Sequence, residues 1–453
     1  MGHLRILYIT CSLLCTLAYG NIPLIKQVDV TPTTIKITAS ETLSRYLMPE
    51  FFVNYEASCM GVPINLQKLD ESVVIIPFIT RVIPVIWASG KHYSIPTMDE
   101  DLFHALNQIQ KVFQLFYPKS AWDGTLTPHR LVKNRPMLPT TIPQEAVGIL
   151  FSGGLDAICT ALRHSDKPQL LITICPEKIG TNNSNMLNHI QKETHAFAQS
   201  YNVHNTFIFS NFFTYVKYKE AASLVPGFSQ WFGGTSQSLS YTGLAAPIIT
   251  SLGLSQLYIG STRTKEYPYP YGTHPAIDNA IQFAGAHVMH DGAHLDRLQK
   301  ISTIKNICKH KHIPLPTLQV CSWQNHEAGN CCTCEKCLRT INELILEGLN
   351  PKRFGFPITI ANLQKRTQEY FANGKPKTGG LNWHWSCVIR RTNELITTNF
   401  SGKKYSPASQ KYIQWLAKQP WQYKPTKHYD EKSTAMFTHL WEENVSALQK
   451  TSK

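Results

Sequence analysis

Residues 146–163 read AVGILFSGGLDAICTALR, and the reading of this stretch decides the fold. A wholly apolar run, Ala146 to Phe151, stops at Ser152-Gly153-Gly154, and an amphipathic run opens at once with Asp156 in its first turn. The first run reads as a strand buried on both faces, the second as a helix. Two glycines at the seam let the backbone turn sharply and leave N–H groups free to converge on an anion. The helix behind them points its positive end at the same place.

Outward from this seam the rhythm repeats. AVGILF (146–151), QLLITIC (169–175), NTFIFS (205–210), QLYIGS (256–261) and TLQVCS (317–322) are strand candidates. DAICTALRH (156–164), NMLNHIQKETHAFAQS (185–200), SLSYTGLAAPIITSL (238–252) and LDRLQKISTIKNICK (295–309) are the helices between them. Apolar strands alternating with helices predict an α/β fold, a doubly wound parallel sheet covered on both faces. Ligands of such sheets bind at the carboxyl ends of the strands, which is where Ser152, Gly153, Gly154 and Asp156 fall.

The rest of the chain is read less directly. Residues 23–140 suggest a smaller β-rich α+β domain. VDVTPTTIKITAS (28–40) and ESVVIIPFITRVIPVIWAS (71–89) read as strands, closed by a helix near 99–117. The polar, Pro-rich TLTPHRLVKNRPMLPTTIPQ (125–144) reads as a connector before a domain at 145–350. Residues 351–453 are aromatic and basic, with helices expected near the end and no assigned role. The first 22 residues look like a secretory signal or a start placed too early, with a buried first strand as the alternative. No later segment approaches 18 apolar residues in a row, which argues against an integral membrane protein.

Composition bounds the function classes. Apolar residues make up 43% and charged residues 16%, the balance of a folded globular chain. The net charge of +14 favours an anionic partner, a nucleotide, RNA or a membrane surface. The 44 Lys and Arg are scattered without a block of like charge, so RNA is a secondary expectation. Of twelve cysteines, five crowd into CSWQNHEAGNCCTCEKCLRT (321–340). Cys321, then Cys331-x2-Cys334-x2-Cys337, can surround one tetrahedral Zn²⁺ as a closed structural site. Cys332 is then a spare, and His326 is an alternative fourth ligand. An iron–sulfur cluster or a disulfide pair fits the spacing less well. Thiols kept reduced point to the cytoplasm, against the signal-like start.

FSGGLDA lacks a Walker lysine and is not GxGxxG. It resembles the SGGxDS loop of the N-type ATP pyrophosphatases, which split ATP between its α and β phosphates. That resemblance implies that Ser152, Gly153, Gly154 and Asp156 cradle the pyrophosphate end of ATP, with Asp156 holding Mg²⁺. Ala157 departs from it, standing where the superfamily has Ser. Such a loop followed by a cysteine knuckle is similar to the 7-cyano-7-deazaguanine synthases, over about residues 147–345. By this likeness a carboxylate, on a deazapurine or on a protein acceptor, is adenylated with ATP, and ammonia then displaces AMP. Asp156, Arg297 and Lys300 are the implied catalytic residues, and Ser261 and Thr262 are expected to face ATP. His274 and Asp278 are expected to meet the substrate.

Three features depart from that likeness or leave it open. The chain has no YPDCR-type stretch, and shows YIGSTRT (258–264), YGTHPAIDNA (271–280) and HDGAHLDRLQK (290–300) instead. His274-Pro275 also reads as a plain helix start, and Arg297 and Lys300 as a solvated helix face. The aromatic runs YPYPY (267–271) and NWHWS (382–386) read first as packing and only second as a purine platform. Two further readings stand beside the first. One is a tRNA-modifying pyrophosphatase, for which Cys175 is the one tempting nucleophile. The other is a nucleotide-binding module without turnover, suggested by Ala157.

Overall fold

The computed structural model describes residues 5–7, 22–135, 139–176, 184–228, 230–321, 329–374, 376, 378–402, 405–419 and 429–451. Apart from Arg5–Leu7, the signal-like segment lies outside these residues, as does His326.

The strands in chain order are β1 (Arg5–Leu7), β2 (Ile22–Pro23), β3 (Ile25–Val30), β4 (Thr34–Ala39), β5 (Glu50–Tyr55), β6 (Ser58–Cys59), β7 (Val62–Pro63) and β8 (His92–Asp99). They continue with β9 (Thr125–Val132), β10 (Val147–Leu150), β11 (Gln169–Pro176), β12 (His204–Ser210), β13 (Gln256–Gly260), β14 (Gln282–Phe283) and β15 (Ala286–Asp291). The protein is mixed α/β. A ten-stranded mixed sheet runs β1-β3-β4-β5-β12-β11-β10-β13-β15-β14, and a separate three-stranded parallel sheet runs β2-β8-β9.

The five central strands, β12-β11-β10-β13-β15, are parallel throughout. Pleating sends alternate residues to opposite faces. Val147, Ile149, Leu171 and Tyr258 join a core with Leu155, Ile158 and Leu162 of helix Leu155–Arg163. Leu150, Leu170, Ile172, Leu257 and Ile259 join the opposite core with Leu244, Ile248 and Ile249 of helix Gln237–Ser251. Helices therefore cover both faces, with an apolar core on either side of the sheet.

Residues 71–89 are not strands but two helices, Glu71–Val74 and Ile76–Ser89. Their Val and Ile content favours strands, but the ends of the segment favour helix. Asp70 caps Ser72 N at 2.9 Å, Pro77 sits in the first turn, and Gly90 closes the helix in the left-handed region at φ 65°. Residues 76–87 are all buried, so an apolar surface on every side is what this helix needs. It packs on helix Gln237–Ser251, where Gly243 admits the Thr80 side chain.

Two further expectations are corrected. The polar start of the connector is strand β9, paired in parallel with β8 from His92↔Thr125 to Asp99↔Val132. TLQVCS forms no strand, because its amides are spent elsewhere. Leu318 N bonds Phe354 O at 3.1 Å, Gln319 N bonds Gly153 O at 2.7 Å, and Val320 N bonds Asn330 Oδ1 at 3.1 Å. The parallel edge expected there is supplied by β15, which the sequence reading passed over because His287 and His290 interrupt it.

Segments 23–140 and 145–350 share one sheet. β5 pairs antiparallel with β12 (Ile208↔Tyr55, Ser210↔Val53), and one core runs from Leu24 through Ile86 to Val288. Residues after 350 form helices Ile360–Ala372, Gly379–Thr397, Pro407–Ala417 and Glu431–Thr451.

Candidate functional site

The site grows from the end of β10. Gly153 takes φ 69°, a conformation that L side chains rarely adopt, and a Cβ there would lie 3.1 Å from Gln319 Cβ. Gly154 precedes helix Leu155–Arg163 without a side-chain cap, so the first-turn amides are not claimed by one. Ser152 is exposed beside them, its Oγ 3.4 Å from Gly154 N. Ala157 faces the opposite way, into the apolar core beneath the helix.

Across the sheet β13 ends at Gly260, where any Cβ would meet Asp156 C and O at 2.9 Å. That close approach lays Ser261 and Thr262 against the start of the helix. Thr262 Oγ1 bonds Asp156 Oδ2 at 3.3 Å, and Lys300 Nζ bonds both Ser261 O and, at 2.8 Å, Asp156 Oδ1. Arg297 Nη1 lies 3.6 Å from Asp156 Oδ2. Arg297 and Lys300 come from helix Arg297–His310, whose entry is fixed by a capping box between Asp296 and Gln299. Both are buried, so their reading as a solvated face does not hold. Burial alone would raise the Asp156 pKa, but the Lys300 and Arg297 charges outweigh it and hold the carboxyl below its usual range. The structure thus brings Gly153, Gly154, Asp156, Ser261, Thr262, Arg297 and Lys300 together.

Helix Glu335–Leu346 supports them. Glu343 accepts from Arg297 Nε at 3.0 Å and Thr340 Oγ1 accepts from Arg297 Nη2 at 2.8 Å. Arg339 pairs with Glu335 at 2.7 Å, and Glu335 also accepts from Trp385 Nε1 at 3.2 Å. Asp291, at the end of β15, accepts from Thr160 Oγ1 at 3.0 Å and faces Arg163 and His164. Sequence reasoning missed Arg339, Glu335, Glu343, Asp291, Arg263 and His384. Glu335 and Arg339, four apart inside the quoted cysteine stretch, left a signal that helical spacing could have found.

His274 and Asp278 are placed elsewhere. His274 Nδ1 accepts from Ala276 N at 3.1 Å as a helix cap, and its ring packs between Phe116 and Trp441 at 4.9 Å from each. Asp278 is fully buried and pairs with His290 at 2.6 Å. Their bonds serve the packing of helix Glu431–Thr451, and none reaches Asp156.

Cys321, Cys331, Cys334 and Cys337 place their sulfurs within 4.8 Å of one another. Cys321 and Cys334 lie 4.0 Å apart, and Cys331 and Cys337 lie 3.9 Å apart. Four thiolates about 2.3 Å from a tetrahedral centre stand roughly 3.8 Å apart, so the set fits a metal ion such as zinc. No disulfide links them. Cys332 turns aside at φ 55° and bonds Asn330 O. The Gln319–Gly153 bond ties this knuckle to the glycine turn.

Among the described residues, a magnesium ion would find Asp156 as the acidic side chain beside the turn. Such ions usually take one or two carboxylates and complete their shell with phosphate and water. The donor set therefore fits only a magnesium that arrives with phosphates. No protein-family model, curated protein or solved structure matches the chain. Among the described residues no helix is long and apolar enough to cross a membrane.

Proposed function

We propose that the protein is an ATP-dependent adenylating enzyme similar to the 7-cyano-7-deazaguanine synthases. In this reading it activates a carboxylate for amide or nitrile formation. The observation that carries this reading is Asp156, in the first turn behind the glycine loop, held between Lys300 at 2.8 Å, Thr262 at 3.3 Å and Arg297 at 3.6 Å. The parallel strand order with two covered faces supports a doubly wound nucleotide-binding domain, and the glycine turn lies at its carboxyl end.

The turn amides and Ser152 hold the β and γ phosphates. Lys300 and Arg297 offset the charge that builds up as a carboxylate oxygen attacks the α phosphorus and pyrophosphate leaves. Ammonia then attacks the acyl carbon, and AMP departs with the former carboxylate oxygen. Asp156 would help hold a magnesium brought with ATP, which would supply further positive charge to the phosphates. The four cysteines hold zinc with no open position, as a structural knuckle, and the reduced thiols suit the cytoplasm. Burial pushes the Cys175 thiol up to about 12, which leaves it a poor nucleophile and weakens the tRNA-modifying reading.

The test is purified protein with α-labelled ATP, Mg²⁺, ammonium and 7-carboxy-7-deazaguanine. AMP that requires the acid and disappears in Asp156→Ala is the expected result. AMP independent of the acid redirects the search to protein or RNA acceptors. ATP binding without AMP overturns the reading in favour of a binding module.

A further inference from the structure

Arg263 is a cation among aromatic side chains, and none of the described acids pairs with it. Its guanidinium lies 4.1 Å from the Tyr271 ring centre and 4.9 Å from that of Tyr267. One side-chain bond, Nη1 to Tyr269 O at 3.3 Å, holds it in place. Among the described residues no carboxylate lies within ion-pair distance of it, and burial, only partly offset by the surrounding Tyr271, Tyr267, Tyr117 and Tyr429, holds its pKa below the usual guanidinium range. Arg263 is only partly buried, so an anion can still reach its guanidinium, and the two ring contacts steady the planar fork.

Its position ties it to the site. Ser261 Oγ bonds Arg263 O at 2.7 Å, one residue before the Thr262 that touches Asp156. Helix Gly379–Thr397 touches both neighbourhoods. Trp383 stacks on Tyr267 at 5.7 Å, Trp385 bonds Glu335, and Arg390 faces Asp296, the cap of the Lys300 helix. Gly380 sits where a Cβ would come within 3.5 Å of Arg263 Nη2, so this helix passes close to the guanidinium. His384, buried on the same helix, feels Arg339, Arg297, Arg263 and Lys300 together, and burial with those four charges keeps its imidazole neutral.

We propose that Arg263 is the acceptor anchor. It binds the carboxylate of an acid carried on a flat aromatic ring, under a roof supplied by helix Gly379–Thr397. This rests on the adenylation reading only for what happens after binding. The aromatic walls select the ring by stacking and edge contacts, and the guanidinium takes the carboxylate bidentately.

The experiment titrates full-length protein without ATP, following tryptophan fluorescence, with 7-carboxy-7-deazaguanine, orotate and benzoate, each against its neutral methyl ester. At least one acid is expected to saturate, its ester to bind at least tenfold more weakly, and Arg263→Gln to lose at least tenfold in acid affinity while keeping ATP affinity. Arg263→Lys, which keeps the charge without the fork, is expected to fall between. Three outcomes overturn the proposal. They are no saturable binding of any acid, equal binding of acid and ester by the unaltered protein, and loss of ATP rather than acid affinity in folded Arg263→Gln. The ester comparison needs no variant, so it stands if Arg263→Gln misfolds. Arg263-dependent acid binding without AMP formation would sink adenylation alone.

Discussion

Lys300 and Asp156 stand 144 residues apart in the chain and meet at 2.8 Å, one from each of two helices packed side by side on the sheet. Lys300 is almost wholly enclosed, with 2% of its side chain exposed, while Asp156 keeps 20% open to solvent. The lysine is therefore fixed scaffolding for charge, and the acid is the partner a ligand can reach.

Truncating Lys300 should cost both stability and chemistry. Lys300→Ala leaves Asp156 half-compensated, and breaking a buried pair costs about 3 kcal/mol. Thermal and urea unfolding would show that loss. Asp156→Asn should unfold closer to the unaltered protein, yet reduce AMP formation by at least a hundredfold.

One metal ion per chain is expected by elemental analysis. Cys337→Ser or Cys334→Ser should lower the metal content and the melting temperature together, as should prolonged chelation. Cys332→Ser should retain the metal, because Cys332 points away from the other sulfurs. Equal loss in all three variants would refute the four-cysteine assignment.

Acid should destabilise the protein from near neutrality. Burial, reinforced by neighbouring positive charge, lowers the pKa of His384 and of His274 well below the usual value. In the unfolded chain both histidines gain protons as pH falls through about 6.5, while in the folded chain they stay neutral until lower pH. The unfolded state then binds more protons, so stability is full above that value and declines below it. Melting temperatures from pH 7.5 to 5 should fall less steeply in His384→Gln or His274→Gln.

Helix packing gives a prediction independent of chemistry. A Cβ at Gly243 would lie 1.8 Å from Thr80 Oγ1 and 2.7 Å from Thr80 Cβ, in the centre of the contact between helices 76–89 and 237–251. Gly243→Ala should destabilise by about 2 kcal/mol through overpacking. Thr80→Ala should recover part of that loss, since the hydroxyl is the nearer clash. Denaturant titration of the two single variants and the double variant reads the coupling.

The parts of this structure that could be read from sequence are those where local signals agree. At residues 146–163 the apolar run, the glycines and the amphipathic run all point one way, and strand, turn and helix stand where expected. Arg297 and Lys300, three apart, share a helix face as their spacing implies, although the face turns inward. Residues 71–89 failed because Val and Ile favour strands, a preference that burial on every side and the helix caps override here. His274 and Asp278 failed for another reason. They follow a strand end, but which way a loop folds back depends on contacts such as Trp441, far along the chain. Arg263 and His384 lie in the quoted YIGSTRT and NWHWS, but their setting exists only once the aromatic loop meets the C-terminal helices.

The pairing of β5 with β12 reaches beyond architecture. Cutting the chain at the proline-rich stretch near 140, to isolate the part bearing the glycine turn, would strip β12 of its neighbour. It would also bare a row of unpaired amides and carbonyls along a strand rich in Phe and Ile. Such a fragment would seek another edge and self-associate. For expression, crystallisation or fusion, the strands from β3 to β5 are thus part of the smallest unit that keeps this edge paired.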